Sequence, residues 1–153
     1  MSELPPIESL RGGTTAAIMA ADLDMKTALA QETARRLFAR TLSMRSPRDP
    51  ALPDRPGRPE KPELVPPKHM EKRSLHTQKG RIALLHALAH IELNAVDLAL
   101  DIVARFTTER VPHSFFDGWM QVAFEEAKHF RLIRDRLRDL GAEYAGLEKS
   151  PIL

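Results

Sequence analysis

Two long apolar stripes at helical spacing, between Gly80 and Leu140, constrain this chain more than any other feature. Apolar residues recur there at alternating intervals of three and four, which places them on one face of a helix. Three polar residues fall inside the stripes: Glu92 on the first helix, and Glu126 and His129 on the second. A buried, unpaired carboxylate is costly, so such groups are normally paired, protonated or bound to a metal. The apolar members are Ile82, Leu85, Ala89, Val96, Ala99, Val103, Phe115, Trp119, Val122 and Ile133.

The spacing also predicts that these polar residues converge. Glu92 precedes the end of its helix, near Phe106, by about 14 residues, and Glu126 and His129 follow Phe115 by about 11 and 14. At about 1.5 Å rise per residue, an antiparallel hairpin places all three at one level, about 16–21 Å from the turn. Two carboxylates and an imidazole there predict half of a carboxylate-bridged di-metal site. A hydrogen-bonded structural glutamate and a chance ExxH spacing form the open alternative.

Length and composition narrow the class of protein. The 153 residues fit one domain, and the net charge of +2 is too small to indicate a particular kind of binding partner. The chain has no cysteine, which excludes disulfides, thiolate zinc sites and a cysteine nucleophile. The N-terminus lacks a basic region followed by an apolar run, and charged residues interrupt the most apolar stretch, 82–103. We therefore expect a cytoplasmic protein without a membrane span.

The chain divides into five predicted segments. Residues 1–12 read as a flexible lead, and 13–45 as an N-terminal helical region containing one long helix or two short ones. A Pro-rich strap at 46–76 is followed by the helix hairpin at 77–142 and an irregular tail at 143–153. The expected fold is all-α, a partial helical bundle with three main helices and a long extended strap.

Local signals predict where helices begin and end. Asp22 or Asp24 is expected to cap an N-terminal helix, and Ser114 to cap the last one. Gly141 can adopt the left-handed conformation that ends the last helix.

Prolines recur every third residue in the strap, which matches the three-residue turn of polyproline II. An extended connector is expected, and a partner-binding PxxP motif is the alternative. Residues 61–81 are locally basic, which indicates a solvated connector or, alternatively, a phosphate-contacting surface. The spaced prolines are Pro47, Pro50, Pro53, Pro56, Pro59 and Pro62.

His86 and His90 are separated by one helical turn, a spacing compatible with metal binding. Two partly exposed histidines are the commoner interpretation. A supporting role of His90 behind Glu92 is a further possibility.

Several motifs together resemble the ferritin-like family known as domain of unknown function 455. They are HALAHIEL at 86–93, AVDLA at 95–99, FFDGW at 115–119, EEAKHF at 125–130, LGAEY at 140–144, and the strap from 57 to 73. The resemblance implies a ferritin-like bundle in which Glu92, Glu126 and His129 are metal ligands. The chain is also distantly similar to the diiron tRNA hydroxylases, which share the Glu plus ExxH arrangement.

The chain departs from that pattern after His129, because no histidine follows. A complete two-metal site takes a second Glu and ExxH set from another helix pair. We therefore expect either a truncated form or a homodimer in which two chains supply the ligands.

Three functions stay open at this stage. The first is a diiron or dimanganese oxygen-dependent oxidoreductase or hydroxylase, acting on a small-molecule or tRNA substrate that the sequence does not specify. The second is a metal-binding or storage module, and the third is a metal-free structural module or inactive fragment.

Overall fold

The computed structural model describes residues 3–61, 63–65, 74–144 and 149–151. The all-α class is confirmed for these residues, although two three-residue strands accompany the helices. The prediction of three main helices is wrong, because the N-terminal region forms two helices and the described residues contain four. The elements are α1 (Leu10–Met19), α2 (Leu23–Phe38), β1 (Glu63–Val65), α3 (Gln78–Phe106), α4 (His113–Asp139) and β2 (Lys149–Pro151).

Side-chain caps explain several helix boundaries. Asp22 Oδ1 accepts a hydrogen bond from Met25 N at 2.8 Å, so α2 begins anew after the extended backbone at Ala20. Gly141 has φ +79°, as expected after the end of α4. The predicted cap at Ser114 is wrong, since Pro112 occupies that position without a side-chain cap. Proline there has a fixed φ and lacks the N–H that would otherwise need a partner.

Residues 7–12 of the predicted lead pack against later parts of the chain. Leu10 is fully buried, and its N–H donates to the Ser43 carbonyl oxygen at 2.8 Å. Ser9 Oγ donates to Asp49 Oδ1 at 2.6 Å. Local sequence did not reveal this anchoring, because its partners lie more than 30 residues away.

The α3–α4 hairpin forms the centre of the molecule, and α1 and α2 pack against it. The main core cluster joins Leu29 and Leu37 of α2 to Leu100 of α3 and Met120 of α4. A second cluster lies farther from the turn, around Leu93, Phe130 and Tyr144. Among the described residues, no helix has the length and apolar content needed to cross a membrane.

Residues 63–65 of the predicted strap form β1, whereas the described stretch 46–61 contains neither helix nor strand. This stretch is hydrogen-bonded to α1, where Gly57 N donates to the Ile18 carbonyl oxygen at 2.7 Å. A Cβ atom at Gly57 would clash with the Met19 carbonyl oxygen. Residues 62 and 66–73 of the predicted strap lie outside the described residues.

The tail predicted to be irregular contains ordered elements. Tyr144 is buried, and β2 pairs in parallel with β1, with Leu64 opposite Ser150. A three-residue strand is defined by a distant partner rather than by local periodicity, so the sequence gives no local signal for this pairing.

Candidate metal centre

The structure brings Glu92, Glu126 and His129 together across the α3–α4 hairpin. The connection at 107–112 turns α4 back along α3, and the two helices pack extensively. His129 Nδ1 lies 3.3 Å from Glu126 Oε2 and 3.9 Å from Glu92 Oε2. One potential ligand atom from each residue lies within 4.8 Å of the others. The three side chains therefore lie at one level along the hairpin, as the helical rise predicted.

These side chains are less buried than predicted. Glu92 and Glu126 are 24% and 23% exposed, and His129 is 49% exposed. The fully buried positions nearby are Leu93 and Phe130, so the three polar groups lie at the edge of the helix interface. The cluster is consequently accessible from solvent, as a site that exchanges ligands needs to be.

The two carboxylates repel each other electrostatically. Partial burial raises the pKa of Glu92 to about 7, and the hydrogen bond and negative charge of Glu126 act in the same direction. The neighbouring His129 opposes this shift. A proton or a cation between the carboxylates would relieve their repulsion, so the pair attracts positive charge.

The donor set is chemically suited to a first-row divalent metal. Two carboxylates offer hard oxygen ligands, and an imidazole is compatible with iron or manganese. Three ligands are fewer than the Glu plus ExxH pairs that a two-metal centre takes from four helices. The hairpin therefore offers half of such a donor set.

Comparison with known proteins places the chain in a family. The sequence profile of the family described as "Protein of unknown function (DUF455)" matches residues 19–151. The chain belongs to the DUF455 family. A relative from Haemophilus influenzae (strain ATCC 51907 / DSM 11121 / KW20 / Rd), named "Uncharacterized protein", is 44% identical over 90 residues. That match covers 56% of this chain and 31% of the relative, so the chain spans less than a third of the relative's length. No solved structure gives a significant match.

His86 and His90 of this DUF455 chain are buried, so the expectation of partial exposure was wrong. His86 stacks on Tyr144 with ring centroids 4.6 Å apart, and its Nε2 contacts the Tyr144 carbonyl oxygen. His90 Nδ1 lies 2.9 Å from the Tyr144 hydroxyl, and its Nε2 lies 3.2 Å from Asn94 Nδ2. Among the described residues, His90 therefore contacts Tyr144 and Asn94 rather than Glu92, which favours a structural role over support of that carboxylate.

Burial lowers the pKa of both imidazoles, and that of His90 falls to about 4. The positive charge of Arg58 further lowers the pKa of His90, and a protonated His86 would act in the same direction. Both rings are consequently neutral near pH 7, which fits their packing against Tyr144.

Sequence reasoning missed a buried ionic cluster on α3. Asp97 Oδ1 accepts from Lys26 Nζ at 2.7 Å, and its Oδ2 accepts from Arg58 Nη2 at 2.7 Å. Arg58 Nη2 also donates to Asn94 Oδ1 at 2.9 Å, which joins the strap to α3. Lys26 and Asp97 are 71 positions apart, so no local motif signals their pairing.

Proposed function

We propose that this chain is a ferritin-like di-metal carboxylate protein, most simply a diiron protein, with oxygen-dependent oxidoreductase or hydroxylase activity. The observation that carries the proposal is the convergence of Glu92, Glu126 and His129 ligand atoms within 4.8 Å of one another. The carboxylate–imidazole donor set and the helix hairpin that carries it are the parts of a ferritin-like half-site.

Each residue has a distinct role in this proposal. Glu92 and Glu126 would hold the metal pair through carboxylate oxygens and offset its positive charge. His129 supplies the imidazole, and its partial exposure leaves a path for small molecules. When bound, an iron pair would supply the redox chemistry that activates oxygen. The same features serve metal storage if no turnover follows.

The incomplete donor set supports a homodimer. The two helices that carry the cluster, α3 and α4, also expose several large apolar side chains, and a partner that covered them would remove apolar surface from water. A twofold axis along this face would bury them and bring a second Glu92, Glu126 and His129 opposite the first. The exposed residues are Leu84, Leu88, Ile91, Leu98 and Leu132.

Four helices around the completed centre would then constitute the ferritin-like bundle, with α1, α2 and the extended strap packed outside it. The longer relative suggests a second arrangement, in which helices of the same polypeptide take the place of the second copy.

Metal content of the purified chain tests the proposal. His129→Ala should lower iron content at least severalfold while far-UV circular dichroism stays nearly unchanged, because the side chain is half exposed. His113→Ala is the matched control, since His113 also lies on α4 but pairs with Asp117 outside the cluster. Iron occupancy that is equal in wild type and His129→Ala would refute the ligand assignment.

Oxygen consumption with a reductant separates catalysis from storage. Turnover that depends on iron and is lost in Glu126→Ala supports an oxidoreductase. Stoichiometric iron without turnover favours storage, and a chain that takes up neither iron nor manganese contradicts both functions.

A further inference from the structure

A cavity lies between the start of α2 and the C-terminal half of α4. Its volume is about 690 Å³, within the range of small-molecule pockets. It shares no lining residue with the carboxylate–histidine cluster. The lining residues are Leu4, Asp22, Asp24, Met25, Ala28, Arg131, Arg134 and Arg138.

Three arginines give this cavity its chemical character. Arg131, Arg134 and Arg138 follow the i, i+3, i+7 spacing that places side chains along one side of a helix. Each guanidinium is permanently charged and presents a planar set of five donors, which matches phosphate and carboxylate oxygens. Three such groups along one wall favour an anion with several acceptor oxygens.

Arg134 is the most informative of the three. Its side chain is only 12% exposed, and its Nε is buried without a hydrogen-bond partner among the described residues. A buried N–H without an acceptor carries a desolvation cost. A ligand oxygen that accepted a hydrogen bond from this Nε would remove that cost. Its terminal nitrogens contact Asp24 and, at 3.4 Å, Asp135.

Neighbouring bonds hold the other two guanidinium groups in place. Arg131 Nε donates to Thr27 Oγ1 at 3.0 Å, and its Nη1 donates to Gln31 Oε1 at 3.3 Å. Arg138 Nε donates to Glu143 Oε1 at 2.7 Å. Such bonds restrain the rotamers of the arginines, which lowers the entropy lost when a ligand binds.

We propose that this cavity binds a phosphate group, and that Asp24 is its intramolecular competitor. The Asp24 side chain is 59% exposed in the first turn of α2, so its carboxylate can turn towards solvent when a phosphate takes its place at Arg134. Leu4, Met25 and Ala28 provide an apolar surface for the remainder of the ligand. This inference is independent of the proposed metal centre.

The competitor makes the proposal sharply testable, because two substitutions change affinity in opposite directions. Inorganic phosphate is titrated against the full chain at constant pH and ionic strength, and binding is followed by calorimetry. Arg134→Gln should weaken binding by about tenfold, since one charged hydrogen-bond partner is lost. Asp24→Asn should tighten binding, because the competing charge is removed.

Arg110→Gln is the matched control, since Arg110 is exposed and does not line the cavity. Arg138→Gln replaces Arg134→Gln if the latter fails to fold, because the Arg138 side chain is 44% exposed. Weaker binding in this variant with unchanged binding in the control supports the site.

Three results would overturn the proposal: no phosphate binding by wild type, equal weakening by Arg110→Gln, or no tightening in Asp24→Asn. Dimethyl phosphate, a mimic of the nucleic-acid backbone, distinguishes the source of the phosphate. Preference for inorganic phosphate supports binding of a free phosphate or monoester, whereas equal or tighter binding of dimethyl phosphate supports a phosphodiester ligand.

Discussion

Asp97→Asn should strongly destabilise the fold, because Asp97 is the shared counter-ion of two cations. Its side chain is 8% exposed, and that of Lys26 is fully buried. Burial lowers the pKa of Lys26, and the Asp97 charge opposes that effect. After substitution Lys26 keeps the Ile18 carbonyl oxygen at 2.8 Å but has lost its negative partner.

The expected loss of unfolding free energy depends on how much buried charge is left without a partner. Removing one member of a buried ion pair costs about 3–5 kcal/mol of unfolding free energy. Arg58 adds little to this loss, because its side chain is 20% exposed and retains Asn94. Lys26→Met should cost less than Asp97→Asn, since Asp97 then keeps Arg58 as its partner.

Urea denaturation followed by far-UV circular dichroism measures these differences. Asp101→Asn is the control on the same helix, because its pair with Arg105 is exposed to solvent and contributes little to stability. The reasoning fails if Asp97→Asn destabilises the protein no more than Asp101→Asn, or if Lys26→Met costs more than Asp97→Asn.

Three further predictions concern the strap, the buried imidazoles and assembly. Gly57→Ala should destabilise the fold by about 1–3 kcal/mol, because the added Cβ atom clashes with the Met19 carbonyl oxygen. Gly118→Ala, on open helix surface, should be neutral or stabilising. Equal denaturation midpoints for the two variants would contradict this prediction. The pKa of His86 is lowered in the folded state, so the unfolded chain binds the proton first and the free energy of unfolding should fall as pH drops below about 6.5. His86→Gln should make the free energy of unfolding, measured from denaturation curves, depend less on pH. An unchanged pH dependence would disprove this explanation. Ferrous iron should shift the chain towards dimer in sedimentation experiments, because in the homodimer a second copy supplies the remaining ligands of the proposed two-metal site. A monomer that is indifferent to iron would contradict the homodimer proposal.

Much of the helix hairpin and its polar cluster could be predicted from sequence. Helical periodicity marked α3 and α4 to within a few residues, since 3.6-residue repeats are a local property of the chain. Constant helical rise placed Glu92 level with Glu126 and His129 once a short turn was assumed. Asp22 and Gly141 were recognisable for the same reason, because caps depend on residues only a few positions apart.

Tertiary packing decided which face of α3 became the core. Apolar residues surround this helix, so periodicity alone favoured the stripe containing Glu92. Packing of α3 against α1, α4 and Tyr144 instead buries a wider arc that includes His86, His90 and Asp97, while Leu88 and Ile91 stay exposed.

The partners that make this burial possible are remote in sequence. Tyr144 is more than 50 positions from both histidines, and Lys26 is 71 positions from Asp97. Whether a polar side chain can be buried depends on a partner that satisfies its charge or hydrogen bonds. The sequence determined the helices and the level of the carboxylate–histidine cluster, whereas only the folded chain could supply those distant partners.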